Sequence, residues 1–201
     1  MIMCGLFGFI GQSADVDLVR RLALLAAQRG PDSWGMWIHR QSGCEQIMVH
    51  YHRKLDPKHL DNIDHCDMII GHCRLATSGS IGVIQPLACG SLVIAHNGNF
   101  YDVDRIRPTL PTEPKTDCDS EVLGLAIEAG ARRTSLLRSV LSVMANRLKC
   151  SPTAFLVATT KRLVAFTEGL PLFELRNIEG VYFCSLAVEG STPIIGAKDY
   201  S

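Results

Sequence analysis

Apolar positions follow two rhythms along the chain. Residues 4–11 form a short run, Leu6, Phe7, Phe9 and Ile10 punctuated by Gly5, Gly8 and Gly11, which predicts a buried strand. Over 15–27 the spacing changes: Val16, Val19, Leu22, Leu25 and Ala26 recur at helical intervals behind Asp15, a plausible N-cap. Gly30-Pro31-Asp32-Ser33 then stops the helix and turns the chain. Strand-like runs follow at 34–39, 46–51, 67–74 and 91–96. After a loop carrying Pro108, Pro111 and Pro114, helices are predicted over 120–132 and 135–149. The second carries Leu136, Leu137, Val140, Leu141, Val143, Met144 and Leu148, a wide apolar face suited to packing on a sheet. Strands resume at 153–159, 162–166 and 180–188.

Strands, then two adjacent helices, then strands again argue against a regular alternation of strand and helix. They point to an α+β fold with helices grouped on sheet faces. No repeat or Ser/Gly linker divides the 201 residues, so 1–201 is expected to be a single domain. Twenty Lys and Arg balance twenty Asp and Glu, which removes the electrostatic argument for a nucleic-acid partner. No apolar run is long enough for a membrane span, and the N-terminus lacks the basic segment of a signal peptide. The expected location is therefore cytoplasmic and reducing. The eight cysteines, with no Cys-x-x-Cys among them, are expected to be mostly buried free thiols. Seven histidines, including His50, His52, His59, His65 and His72, show no compact four-ligand spacing, so neither metal nor cofactor is expected. His72 and His96 read as hydrogen-bonded strand-end residues.

Five short segments interrupt the strand-like runs with polar residues flanked by glycine: Cys4-Gly5-Leu6-Phe7-Gly8, Arg29-Gly30-Pro31-Asp32-Ser33-Trp34-Gly35, Gly71-His72-Cys73-Arg74-Leu75-Ala76-Thr77-Ser78-Gly79, Ala95-His96-Asn97-Gly98-Asn99 and Asp117-Cys118-Asp119-Ser120-Glu121-Val122-Leu123. Each is weak evidence alone, since Asn-Gly is also a common turn. Together, in this order and with Gln85-Pro86 between the third and fourth, the chain resembles the class II glutamine amidotransferase domain of the N-terminal-nucleophile hydrolases. Such domains form the glutaminase halves of amidophosphoribosyltransferase, glucosamine-6-phosphate synthase and asparagine synthetase.

That resemblance implies a four-layer α-β-β-α sandwich and hydrolysis of the glutamine side-chain amide to glutamate and ammonia. It assigns Cys4 as the nucleophile forming a thioester, with its own α-amino group as base, an amine whose pKa near 7.7–8 suits that task. Asn97 and Gly98 would donate to the oxyanion. Arg74 would hold the substrate carboxylate, Asp119 its ammonium and Thr77 would add a hydroxyl contact. Arg29 would support the nucleophile's surroundings, and Cys73 and Cys118 would lie near the pocket by adjacency.

The same resemblance exposes a departure. Cys4 must be the first residue of the mature chain, yet Met1, Ile2 and Met3 precede it. The expectation is that Met3 is the true start or that a short leader is cleaved. Leu75 and Ser78 stand where some relatives carry bulkier or more polar residues, and Ala165 to Leu172 replaces an Arg-Asp turn. The sequence has neither a Gly-x-x-x-x-Gly-Lys-Ser/Thr loop nor a Ser-Gly-Gly-x-Asp-Ser motif, so a separate synthase is expected to accept the ammonia. The competing readings are a catalytically silent subunit that binds glutamine or a partner, and a hydrolase of another γ-glutamyl amide.

Overall fold

The computed structural model describes residues 4–43, 45–61, 63–75, 83–149 and 151–201. They form two antiparallel sheets. The larger runs in the order β11 (Thr192–Pro193), β9 (Phe173–Arg176), β10 (Gly180–Cys184), β1 (Gly5–Gly11), β4 (Met68–Arg74), β2 (Ser33–Arg40), β3 (Glu45–Tyr51). The smaller runs β12 (Gly196–Tyr200), β8 (Leu163–Glu168), β7 (Thr153–Ala158), β6 (Leu92–Gly98), β5 (Leu87–Cys89).

Both faces of the central strands are covered, which is why their sequences read as nearly continuous apolar runs. On β1, Leu6 and Ile10 face the smaller sheet, where they meet Val93, Ala95, Leu156 and Ala165. Phe7 and Phe9 point the other way, against α1 (Val16–Arg29), whose Val19, Leu22, Ala23 and Ala26 form its buried stripe. The outer face of the smaller sheet carries α3 (Asp119–Ala131) and α4 (Leu136–Ala145); Val122, Leu125, Val140 and Met144 pack there on Ile94, Phe155, Val157 and Phe166. The layers are thus helix, sheet, sheet, helix, the four-layer sandwich implied by the resemblance.

Local chemistry sets the element ends. Asp15 does cap α1, its Oδ1 accepting from Asp17 N at 2.9 Å and Leu18 N at 3.1 Å. The helix expected over 135–149 stops instead at Ala145. Asn146 Nδ2 donates to Ser142 O, and Asp102 Oδ2 draws in the Leu148 and Lys149 amides at 3.0 and 3.3 Å. The strand expected over 180–188 ends at Cys184, because Ser185 closes on Leu6: Ser185 N donates to Leu6 O at 3.0 Å and Leu6 N to Ser185 Oγ at 2.8 Å. Four strands were not expected: β5, β9, β11 and β12, all short, and a one-turn helix α2 (Val103–Ile106) joins them.

No helix among the described residues is long and apolar enough to cross a membrane. All six described cysteines are free, four of them buried.

Candidate active site

Strand alternation sends three predicted site residues into the space between the sheets. Cys4 lies two residues before Leu6, Arg74 follows Ile70 by four, and Asn97 pairs with Ala154, all in register with the inter-sheet core. The topology then puts them at one end of the sandwich. At the opposite end a cavity of about 770 Å³ is lined by Ile10, Met68, Thr160 and Lys161, so the start of β4 sits over the β7–β8 turn. Val93, at the start of β6, pairs with Ala158 beside that same turn. Both β4 and β6 therefore run away from it, and their last residues, Arg74 and Asn97–Gly98, emerge at the far rim. Because β1 is antiparallel to β4, with Gly5 opposite Cys73, Cys4 emerges there too.

Cys4 sits half-buried among cations and backbone donors. Burial pushes its thiol above the usual value. The Leu75 backbone, the Arg74 guanidinium, its own backbone and Arg29 oppose that rise without cancelling it. Arg29 is held by Ser185, whose carbonyl accepts from Arg29 Nη1 at 3.0 Å. Burial pulls this guanidinium below its ordinary pKa, with Cys184 and Cys4 acting the other way. Ser185 thus fixes both the strand that follows Cys4 and the arginine beside it, a role the sequence reading missed; the only sequence signal is the polar residue after the apolar run 181–184. Arg74 Nη1 donates to Val83 O at 2.9 Å, tying the end of β4 to the stretch before β5. Thr77 lies outside the described residues, as do Met1, Ile2 and Met3.

On the facing sheet, Asn97 is 2% exposed and its Nδ2 has no hydrogen-bond partner among the described residues. A buried amide nitrogen left unpaired is costly unless something outside the chain accepts from it. Gly98 has φ +133°, a region other residues rarely adopt, and a Cβ there would lie 2.7 Å from Pro152 O. Asp119 opens α3, and its Oδ2 accepts from Phe100 N at 2.6 Å. Its Oδ1 lies 3.3 Å from Ser120 Oγ and 3.8 Å from Cys118 Sγ. Cys118 is thus beside the aspartate as expected, whereas Cys73 points into the α1 core, its Sγ 3.9 Å from Ala23 O.

His96 is hydrogen-bonded at both ring nitrogens, to Ser120 Oγ at 2.9 Å and Thr153 Oγ1 at 2.8 Å. His72 departs from the expectation: it is fully buried, and neither nitrogen has a hydrogen-bond partner among the described residues. Burial, with His96 and Arg74 nearby, lowers its pKa to about 3, so it is neutral. Among the described residues no three His, Cys, Asp or Glu side chains are grouped to hold a metal. Glu121, inside the fifth segment but without a role assigned from sequence, pins the approach to Asp119, accepting from Lys115 N at 2.9 Å, Thr116 N at 2.7 Å and Thr116 Oγ1 at 2.6 Å.

No family model matches the chain. Among curated proteins, amidophosphoribosyltransferase 3, chloroplastic, of Arabidopsis thaliana is 32% identical over 149 residues, which is 68% of this chain and 28% of that protein. Glutamine–fructose-6-phosphate aminotransferase of Lactiplantibacillus plantarum is 28% identical over 128 residues, 60% of this chain and 21% of that protein. The chain spans less than a third of the length of the curated relatives it matches. Among solved structures, the glutamine phosphoribosylpyrophosphate amidotransferase of B. subtilis superposes with TM-score 0.73 at 20% identity, covering 98% of this chain and 49% of that one. A glutamine aminotransferase class-II domain protein from Silicibacter pomeroyi gives 0.66 at 13% identity, with 98% of each chain covered. The chain is homologous to the glutamine amidotransferase domains of amidophosphoribosyltransferase and glutamine–fructose-6-phosphate aminotransferase, and its fold is that of the class II, N-terminal-nucleophile hydrolase type.

Proposed function

We propose that the chain hydrolyses the side-chain amide of glutamine. The Cys4 sulfur attacks the amide carbon; the C–N bond breaks as a thioester forms, and ammonia leaves with the proton from the thiol. Water then cleaves the thioester, returning the thiol and releasing glutamate. The base is the Cys4 α-amine, which exists only once residues 1–3 are gone. Asn97 Nδ2 and the Gly98 amide donate to the oxyanion in both steps. Arg74 holds the α-carboxylate, Asp119 the α-ammonium, Thr77 adds a hydroxyl contact and Arg29 steadies the electrostatics around the sulfur.

The observation that carries this reading is the buried Nδ2 of Asn97, without a hydrogen-bond partner among the described residues, at the rim it shares with Cys4 and Arg74. An acyl-transfer site needs a donor waiting for a charge that develops only during reaction. The ammonia passes to a synthase on a separate protein, in a cytoplasmic, reducing setting where Cys4 stays a thiol. The test is a glutaminase assay on chain beginning at Cys4, with 6-diazo-5-oxo-norleucine as a covalent probe. Release of glutamate and ammonia, lost in Cys4→Ala, together with labelling of the Cys4 sulfur, is expected. A Cys4→Ala chain that still hydrolyses glutamine would refute it.

A further inference from the structure

Beneath the rim lies a connected polar network that the mechanism above does not use. Gln85, His96, Ser120 and Thr153 are all buried, and they come from four separate segments: the stretch before β5, β6, α3 and β7. Gln85 Oε1 accepts from His96 N at 2.6 Å, while its Nε2 donates to His96 O at 3.2 Å and to Ser120 Oγ at 3.1 Å. A glutamine amide thereby grips one residue's backbone from both sides, as a neighbouring strand would.

Ser120 Oγ has one proton and two lone pairs, and beside the neighbouring Cys118 thiol its three nearest polar partners give them one consistent use. The Asp119 carboxylate accepts only, so the proton goes to Oδ1 at 3.3 Å. Gln85 Nε2 donates only, so it takes one lone pair. The second faces His96 Nδ1, which must then carry the ring proton, leaving Nε2 to accept from Thr153 Oγ1. The hydroxyl of Thr153, the imidazole of His96 and the hydroxyl of Ser120 thus form one directed chain that ends on the Asp119 carboxylate. Burial keeps the imidazole neutral, as that chain requires, with Asp119 opposing in part. Each end of the network adjoins a proposed site group: His96 precedes Asn97, and Ser120 follows Asp119. The Gly98 backbone packs against the same assembly: a Cβ added there would lie 3.2 Å from His96 Nε2.

We propose that His96, Ser120 and Gln85 are positioning residues that lock the Asp119 carboxylate to the Asn97–Gly98 donors. Recognition of the amino-acid head group and alignment of the oxyanion hole then depend on one rigid unit. This rests on the glutaminase reading and extends it.

The test separates the two. L-Glutamate and glutarate differ only by the α-ammonium, so the dissociation constant of glutarate divided by that of L-glutamate, measured calorimetrically on chain beginning at Cys4, reports how well Asp119 is presented. Ser120→Ala and His96→Leu are expected to lower that ratio roughly tenfold, and His96→Leu to lower kcat for glutamine as well. His96→Asn, whose Nδ2 takes the place of the ring Nδ1–H, is expected to recover most of the ratio. Variants that melt like the wild type and keep its ratio, or a His96→Asn no better than His96→Leu, overturn the proposal while leaving the glutaminase reading standing. A wild-type ratio near one, or no glutamine hydrolysis by the wild-type chain, overturns both.

Discussion

Phe100 N donates to Asp119 Oδ2 at 2.6 Å, so the turn that follows Asn97 and Gly98 hangs from the first residue of α3. Under the proposed function this carboxylate, besides anchoring a backbone turn, also meets the substrate ammonium. The two tasks separate by substitution. Asp119→Asn keeps an oxygen for Phe100 N and loses the charge, so the KM for glutamine should rise at least tenfold, the scale of a lost charge-assisted hydrogen bond, with a smaller change in kcat. Asp119→Ala also frees the turn and should depress kcat further. Steady-state kinetics of the pair checks this; equal losses in both would mean the anchor does nothing for the reaction.

Glu174 gathers Tyr200, Lys198 and Arg176 where β9 meets β12, its oxygens 2.5, 3.2 and 3.4 Å from their donors. Burial alone would push its carboxyl up, but these hydrogen bonds outweigh it and hold the group below the usual carboxylate range. A carboxyl depressed on folding adds stability above its unfolded pKa, and that stability is lost as the pH falls through the folded value. Melting temperatures of the wild type and Glu174→Gln should therefore differ most near pH 7. The gap should close as the pH falls below about 4.3. A gap that stays constant from neutral to acid would mean the charge is not what stabilises the joint.

The start of β1 is pressed against α1. A Cβ on Gly5 would lie 2.1 Å from Ala26 O, inside backbone that has nowhere to retreat, since Ala26 is itself in the buried stripe of the helix. Gly5→Ala should cost about 1–3 kcal/mol, the range for overpacking a tight core, and lower Tm by roughly 3–10 °C. Because Cys4 is the neighbouring residue, alkylation of its thiol should change as well. A thermal melt indistinguishable from the wild type would show that α1 can move away without penalty.

The long elements were legible because their periodicity is unbroken. The nearly continuous apolar run at 67–74, covered by a layer on each face, and the helical spacing from Val16 to Ala26, which fits one partner layer, both stand in the fold where the pattern put them. β9 and β12 were not legible: Phe-Glu-Leu-Arg and Gly-Ala-Lys-Asp-Tyr are short, half-buried and polar, and they are strands because an edge was available and Glu174 ties them. Of the candidate site, Cys4, Arg74 and Asn97–Gly98 could be named from glycine-flanked motifs, and strand parity brings them to one rim. Ser185 could not, and Glu121, though inside a motif, could not be given its role. Their roles are hydrogen bonds to backbone far away in sequence or across a loop, which leave no periodic trace.

The state of the Cys4 nitrogen decides whether the proposed chemistry can run. Burial holds the thiol above its ordinary pKa despite Leu75, Arg74 and Arg29, so near pH 7 it is protonated and needs a base. An α-amine titrating near 7.7–8 suits that task, whereas a peptide nitrogen bonded to Met3 does not. Chain beginning at Cys4 should hydrolyse glutamine, and chain with residues 1–3 retained should be slower by at least about 10²-fold, the usual scale of general base catalysis. In the retained form the pH dependence of iodoacetamide labelling should report the raised thiol directly, with a midpoint on the alkaline side. Arg29→Met should move that midpoint further up, because removing a cation disfavours the thiolate. Intact mass on each sample fixes which terminus is present. Full activity from a chain that demonstrably keeps Met1 would eliminate the amine as base and require another group to take the thiol proton.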